Sequence, residues 1–367
     1  VKLTQILDQY ELSQRPRMTP PPGTLLFPLG RHVSAPTFLI DIRALYTCMG
    51  LLCALLVVGL AGLSLGTAPL TPGQAMAGLL GKGDSMHVFV VRQLRLSRLV
   101  AGALTGAALG LSGCLMQTVA RNRLATPGII GIENGATMFA IASVLGTVTA
   151  VMPTAMALIG AVTATALTFA LAGGLGTQGY RFIVAGIGVG AALGAVTQLL
   201  MARAPIDSAN AAWAWTVGSL NAPNTTAVYL LMAGFSLCLP AALLLGRSLT
   251  LLRFSDNVAR SLGIDVTRCR RQALGLAVVL CGLSVAVAGP VGLIALMGPE
   301  IARFLSSRRR VPLVASALAG AILMCLADLT GRILISPIEI PVGLITSVVG
   351  GPFLFWILLR PGVALTP

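Results

Sequence analysis

The sequence predicts an all-α membrane protein, a polytopic bundle of ten helices. Three observations predict it. The 367 residues are 56% hydrophobic and only 10% charged, with a mean hydropathy of +0.90, whereas soluble domains carry roughly 25% charged residues. Apolar runs recur that are long enough to cross about 30 Å of hydrocarbon, which takes about 20 helical residues. The 42 glycines show no Gly-X-Y period, so they suit helices whose backbones approach closely.

Residues 1–42 come first and are expected to be a flexible cytosolic tail. They carry acids, arginines and the prolines Pro16, Pro20, Pro21, Pro22, Pro28 and Pro36. They lack the apolar core and small-residue cleavage site of a secretory signal. The chain opens on Val1, and Met18 is a candidate true start that an intact-mass measurement would decide. The membrane domain is expected over 43–367. Its spans fall at about 45–65, 97–118, 128–148, 152–173, 182–202, 226–246, 272–289, 311–332 and 341–360. A shorter apolar piece, 293–305, lies between Pro290 and the basic run Arg303–Arg310. It counts as a tenth, broken element, since irregular backbone at that depth is tolerated where protein or a water-filled cavity surrounds it.

Ten crossings put both termini on one side. Placing them in the cytosol puts 19 of the 25 Lys+Arg inside, as the positive-inside bias requires. Without the short element, Arg308, Arg309 and Arg310 would face outward. The same bias explains the net charge of +14, so no nucleic-acid partner is inferred from it. The charges near the ends of the spans are expected to meet membrane lipid.

Small residues recur every four positions at Gly102, Gly106 and Gly110, and again at Gly186, Gly190 and Gly194. Helix packing alone explains such stripes. From Gly113 to Gly131 and from Gly289 to Arg303, an apolar helix passes through a Gly/Pro break into a second helix. That loose echo fits an internal repeat. The seven cysteines have neither CxxC spacing nor paired histidines, which leaves no metal or disulfide framework. Gly81-Lys82-Gly83 lacks the Ser/Thr of a phosphate-binding loop. If ATP drives this chain, a partner supplies it. The only histidines, His32 and His87, form no catalytic cluster, so an enzyme is not expected and no cofactor is implied.

Three acids lie at membrane depth: Glu133, Glu300 and Asp328. A proton or ion relay would use them, as in a secondary transporter. Glu300 lies three before Arg303 and Asp328 four before Arg332, so local helical ion pairs are simpler. Glu133 is placed to cap backbone near a helix start. Trp213 and Trp215 suit an interfacial belt. On the outer side, Arg92, Arg95, Arg98 and Arg332 oppose the usual charge bias. They read as headgroup contacts or as a basic rim for an acidic partner.

The loop Arg247–Gln272 is the most distinctive segment. It holds six arginines and two acids, and it contains a short amphipathic helix from Asp256 to Leu262 closed by Gly263. A small capped helix projecting from a membrane bundle suits docking of a soluble protein.

Several blocks, in this order, resemble the ferric-siderophore and vitamin B12 (FecCD-type) permeases of ATP-binding-cassette importers. They are RLSRLVAGALTGAALGLSGCLMQ at 95–117, RNRLATPGIIGIENGA at 121–136, SDNVARSLGI at 255–264, AGPVGLIALMGPEIARFL at 288–305, ADLTGR at 327–332 and EIPVGLITSVVGGPF at 339–353. The resemblance implies a ten-helix subunit in a bacterial inner membrane, paired with a second permease chain, two cytosolic ATPase subunits and a periplasmic binding protein. Its cargo would be an iron chelate, with haem or vitamin B12 as alternatives. It implies ATPase coupling through Asp256, Ala259, Arg260, Leu262 and Gly263, and docking of the binding protein at Arg95, Arg98 and Arg332. It implies a cytosolic gate at Asn122, Leu124, Gly179 and Tyr180. The chain departs from the family pattern at Ser97 (proline is usual), at Arg123 (proline) and at Glu300 (histidine). Arg123 adds a charge beside the gate position Asn122.

Overall fold

The computed structural model describes residues 24–28, 37–66, 69–147, 152–173, 180–306, 310–336 and 338–359. Gly179, His32, Arg308, Arg309 and Arg360, on which expectations fell, lie outside these. The chain divides into two units, 1–46 and 47–367. In the first, β1 (Thr24–Pro28) pairs antiparallel with β2 (Thr37–Asp41), with Thr24 opposite Asp41 and Phe27 opposite Phe38. This hairpin lies within the stretch expected to be a flexible tail.

The rest is helical. The elements are α1 (Ile42–Ser64), α2 (Pro72–Leu79), α3 (Ser85–Phe89), α4 (Leu96–Ala120), α5 (Ile132–Val144), α6 (Pro153–Ala172) and α7 (Tyr180–Arg203). They continue with α8 (Ile206–Val217), α9 (Thr225–Leu251), α10 (Asp256–Ser261), α11 (Val266–Ala288), α12 (Gly292–Leu305), α13 (Leu313–Ile333) and α14 (Val342–Leu359). A π-helical turn, Val90–Arg95, joins α3 to α4, and a 3-10 turn, Pro127–Ile130, precedes α5.

Ten of these helices coincide with the ten expected elements. Among the described residues, seven are long and apolar enough to cross a membrane: α1, the run Ser85–Ala120 ending in α4, α6, α7, α9, α11 and α13. The apolar part of α14 is shorter. The element expected as a full span at 128–148 is helical only over α5, 13 residues, or about 20 Å at ~1.5 Å per residue. Helix α12 has 14 residues and is short, as expected.

Three short helices fall where no span was expected. Helix α2 is fixed by a capping box: Thr71 Oγ1 accepts from Gln74 N and the Gln74 side chain accepts from Thr71 N. Helix α3 starts at the N-cap Asp84. Helix α8 carries the exposed Trp213 and the half-buried Trp215, which packs against the core.

Helix α4 is the axis of the bundle. From Ala108 to Thr118 it is buried without interruption, packed among α11, α12 and α13. Its glycine stripe explains how. A Cβ on Gly106 would collide with the carbonyl oxygen of Gly320 in α13, and one on Gly110 with that of Ser316. In the second stripe, Gly186 meets Ile129 O, whereas Gly194 faces open space. Packing thus explains the first stripe throughout and the second only in part. Gly106→Val should cost about 3 kcal/mol or more, beyond ordinary overpacking because backbone must move. Detergent melting of the purified variant checks this; an unchanged melting temperature would contradict the close approach.

Candidate functional site

Arg95 precedes α4 and Arg121 follows it, and the 25 residues between them span roughly 38 Å. Two charged clusters therefore sit at opposite ends of the bundle.

At the Arg121 end stands the elbow, α10. Ser255 caps it, with Oγ accepting from Val258 N at 3.4 Å. Gly263 ends it at φ +81°, a left-handed turn that suits glycine. The N–H of Gly263 donates to Arg260 O at 2.9 Å and that of Ile264 to Ala259 O at 3.1 Å, the paired closure of a glycine-terminated helix. Ala259 is fully buried against the bundle, and Leu252 lies buried beside it. Phe254, Val258 and Leu262 are exposed around it, the last to 58%. Arg253, Arg260, Arg268 and Arg271 are exposed on the same loop. The elbow thus offers a small apolar patch among cations, held by a rigid cap at each end.

Asp256, expected among the coupling residues, is held by side chains of the chain itself. Arg270 of α11 holds it with two bonds, Nη1 to Oδ2 and Nη2 to Oδ1, both 3.0 Å. Arg121 adds a third through Nη2, while its Nε donates to Leu252 O at 2.8 Å. Burial alone would raise the Asp256 pKa; the Arg270 bonds and charge, then those of Arg121, outweigh it and hold the carboxyl below its usual 3.8. A depressed carboxylate contributes stability above its unfolded pKa and loses it as pH falls through the lower folded value. The clamp is therefore charged at neutral pH, and its contribution is lost only as pH falls below the ordinary aspartate range.

The expected gate segment follows α4 directly. Asn122 Oδ1 accepts from Leu124 N at 2.9 Å, an Asx turn that fixes the chain's exit. Tyr180 begins α7. The departures Arg123 and Glu300 meet each other, Nε to Oε1 at 3.9 Å. Glu300 also pairs with Arg303 at 3.0 Å, and Arg303 donates to Gln117 of α4. The charge that Arg123 brings beside Asn122 thus has a counter-charge on α12.

At the other end, three of the four rim arginines, Arg95, Arg98 and Arg332, are drawn inward, while Arg92 stays exposed and donates to Leu79 O. Arg95 is only 7% exposed, and its Nη1 donates to Leu63 O at 2.7 Å and Ser64 O at 3.0 Å. Arg332 Nη2 donates to Gly62 O at 3.3 Å. Both close the C-terminus of α1, where carbonyls lack helical partners and a cation is favoured. Arg98 binds Asp328 and Glu339, each at 2.8 Å. Asp328 also reaches Arg332 at 3.2 Å. Glu339 was not singled out from the sequence. It lies 241 residues from Arg98, and its position in EIPVG was the only signal.

The three acids expected at membrane depth do not form a set. Glu300 and Asp328 make the local pairs that their spacing allows. Glu133 makes no side-chain cap on its own helix α5. Its carboxylate lies instead beside Gly128 and Gly292, near the start of α12. No ion pair or hydrogen bond among the described residues links it to the other two acids.

Comparison with known proteins decides the family. Residues 54–360 match the profile of the FecCD transport family. The chain belongs to the FecCD transport family. A ferric enterobactin transport system permease protein, FepG, of Escherichia coli (strain K12) is 37% identical over 321 residues, 87% of this chain and 97% of that protein. An Fe(3+)-citrate import system permease protein, YfmE, of Bacillus subtilis (strain 168) is 34% identical, covering 86% and 95%. A solved metal-chelate type ABC transporter in an inward-facing conformation superposes with a TM-score of 0.75. It covers 87% of this chain and 100% of that one at 24% identity, which establishes the shared fold. This FecCD member is thus a multi-pass transport permease subunit.

Proposed function

We infer that the chain is the membrane-spanning subunit of an ATP-driven importer that carries an iron chelate, a ferric siderophore, into a bacterial cytoplasm. The observation that carries the reading is the elbow: a doubly capped helix offering Leu262, Val258 and Phe254 outward while Asp256 locks it inward. A bundle that needs only lipid around it has no use for such a surface. The chain carries no phosphate-binding loop, so two partner ATPase subunits supply the energy at this end. Their engagement moves α10, and the helices then open the pathway by exposure to alternate sides. The family resemblance adds a second permease chain across the pathway and a periplasmic binding protein at the Arg95 end. With both termini cytosolic, the elbow faces the cytosol and Arg98 the periplasm, in the inner membrane.

The relatives' substrates support iron chelates as the cargo class. Uptake of radiolabelled ferric enterobactin, ferric citrate, haem and cobalamin, in cells lacking their own permeases, tests it. Uptake of the ferric chelates that stops when the ATPase is deleted fits the reading. Uptake of haem or cobalamin alone would reassign the cargo. Transport that survives ATPase deletion but collapses with an uncoupler would replace the reading with a proton-coupled carrier.

Docking of the binding protein through Arg95, Arg98 and Arg332 has a more restricted form than a free rim. Arg98 already holds two carboxylates, so a docking acid competes with Glu339. Arg98→Gln should weaken binding-protein affinity about ten-fold and flatten its salt dependence; unchanged affinity in a surface-binding assay would remove Arg98 from the interface.

A further inference from the structure

We propose that Asp256 and Arg121 form the transmission clamp of this importer, carrying movement of the elbow into the central helix α4 and not contacting the ATPase. This rests on the importer reading and assigns Arg121 and Arg270 a role read neither from the family resemblance nor from their place in the chain.

The geometry is specific. Asp256 is the first residue of α10, so its carboxylate sits at the base of the elbow. Arg270 holds both of its oxygens from α11 at 3.0 Å and is 10% exposed. That bond ties the two ends of the loop together. Arg121 reaches the same carboxylate from the C-cap of α4 and also ties down Leu252 O. It adopts φ +49°, a left-handed conformation that non-glycine residues rarely take. The surrounding contacts hold it there. Two residues later, Arg123 reaches Glu300 on α12. The turn 121–125, which contains Asn122 and Leu124, is thus tied to the elbow on one side and to α12 on the other. Displacing α10 must pull on Arg121, and through it on the most buried helix of the bundle. The exposed Phe254, Val258 and Leu262 remain free to meet the partner. The elbow therefore divides into an outer docking side and an inner transmitting side.

The assembled transporter, reconstituted in vesicles with its ATPase and binding protein, separates the two roles. Asp256→Asn should still co-purify with the ATPase and hydrolyse ATP, while substrate carried per ATP falls about ten-fold, the scale of losing charge-assisted bonds of this kind. Asp256→Glu should recover a large part of that ratio. Arg121→Gln leaves Arg270 in place and disturbs folding least. It should lower the ratio similarly, and the double variant Asp256→Asn/Arg121→Gln should be no worse than either single variant. Wild-type transport per ATP in both single variants would overturn the clamp. So would loss of ATPase co-purification on Asp256→Asn, because Asp256 would then be a contact residue. The importer reading fails separately, if Leu262→Asp neither releases the ATPase nor lowers uptake.

Discussion

Replacing Leu262 with aspartate is expected to abolish uptake and leave the folded bundle intact. The side chain is 58% exposed at the end of the elbow, so the fold loses little when it changes; exposed substitutions of this kind usually stay within about 0.5 kcal/mol. The partner loses more. A leucine buried on docking contributes roughly 1.5–3 kcal/mol, and an aspartate in its place adds an unpaired charge to a desolvated contact. Together these lower ATPase affinity by about two orders of magnitude or more. Co-purification of the ATPase and uptake of labelled chelate measure the effect, and the melting temperature controls for folding. Ala259→Leu gives the contrasting result. Ala259 is fully buried, so the larger side chain overpacks the base of the elbow at about 1–3 kcal/mol and lowers stability first.

The second large effect lies at the opposite end. Asp328→Ala should destabilise the protein by about 3–5 kcal/mol, the usual cost of removing one partner from a buried pair. Asp328 has a side chain 6% exposed between two guanidinium groups that are 13% and 11% exposed. Its loss leaves Arg98 and Arg332 with Glu339 as the remaining paired carboxylate among the described residues. Glu339→Gln should cost less, about 1 kcal/mol or below, because Glu339 is 34% exposed and solvent screens it. Thermal melting of both variants in detergent gives the comparison. Equal melting temperatures would show that Asp328 is not the keystone of the network. Arg332 also closes α1 through Gly62 O, so fraying of the Gly62–Ser64 end should accompany the loss in the Asp328 variant.

Much of the fold is legible in the apolar runs. Ten of the helices fall where the runs place them. Even the short α12 follows from requiring Arg308–Arg310 to share the side of the other basic loops. Helices α2, α3 and α8 escape that reading. None has a run long enough to signal a span, and isolated helices of such length are marginal without tertiary contacts. For α2 a local signal did exist: Thr71-Pro72-Gly73-Gln74 is a capping box with proline at the first helical position. The elbow is legible because its punctuation is local, with Ser255 at one end and Gly263 at the other.

The site charges are less legible. Asp256 reads as one residue of a short amphipathic helix until Arg121, 135 residues earlier, is seen beside it. Arg123 and Glu300 read as separate departures until α4 and α12 pack and bring them to 3.9 Å. Arg95 and Arg332 read as an exposed rim until the end of α1 supplies carbonyls for them.

The order of residues alone shows which stretches are apolar enough to cross a membrane and where along the chain the positive charge clusters. Both follow from the transfer free energy and charge that each residue carries wherever it stands. Which arginine meets which carboxylate is settled by the packing of the helices. That choice depends on how closely α4 approaches its neighbours along the Gly106–Gly320 contact, and such an approach belongs to the packed bundle and not to any stretch of it.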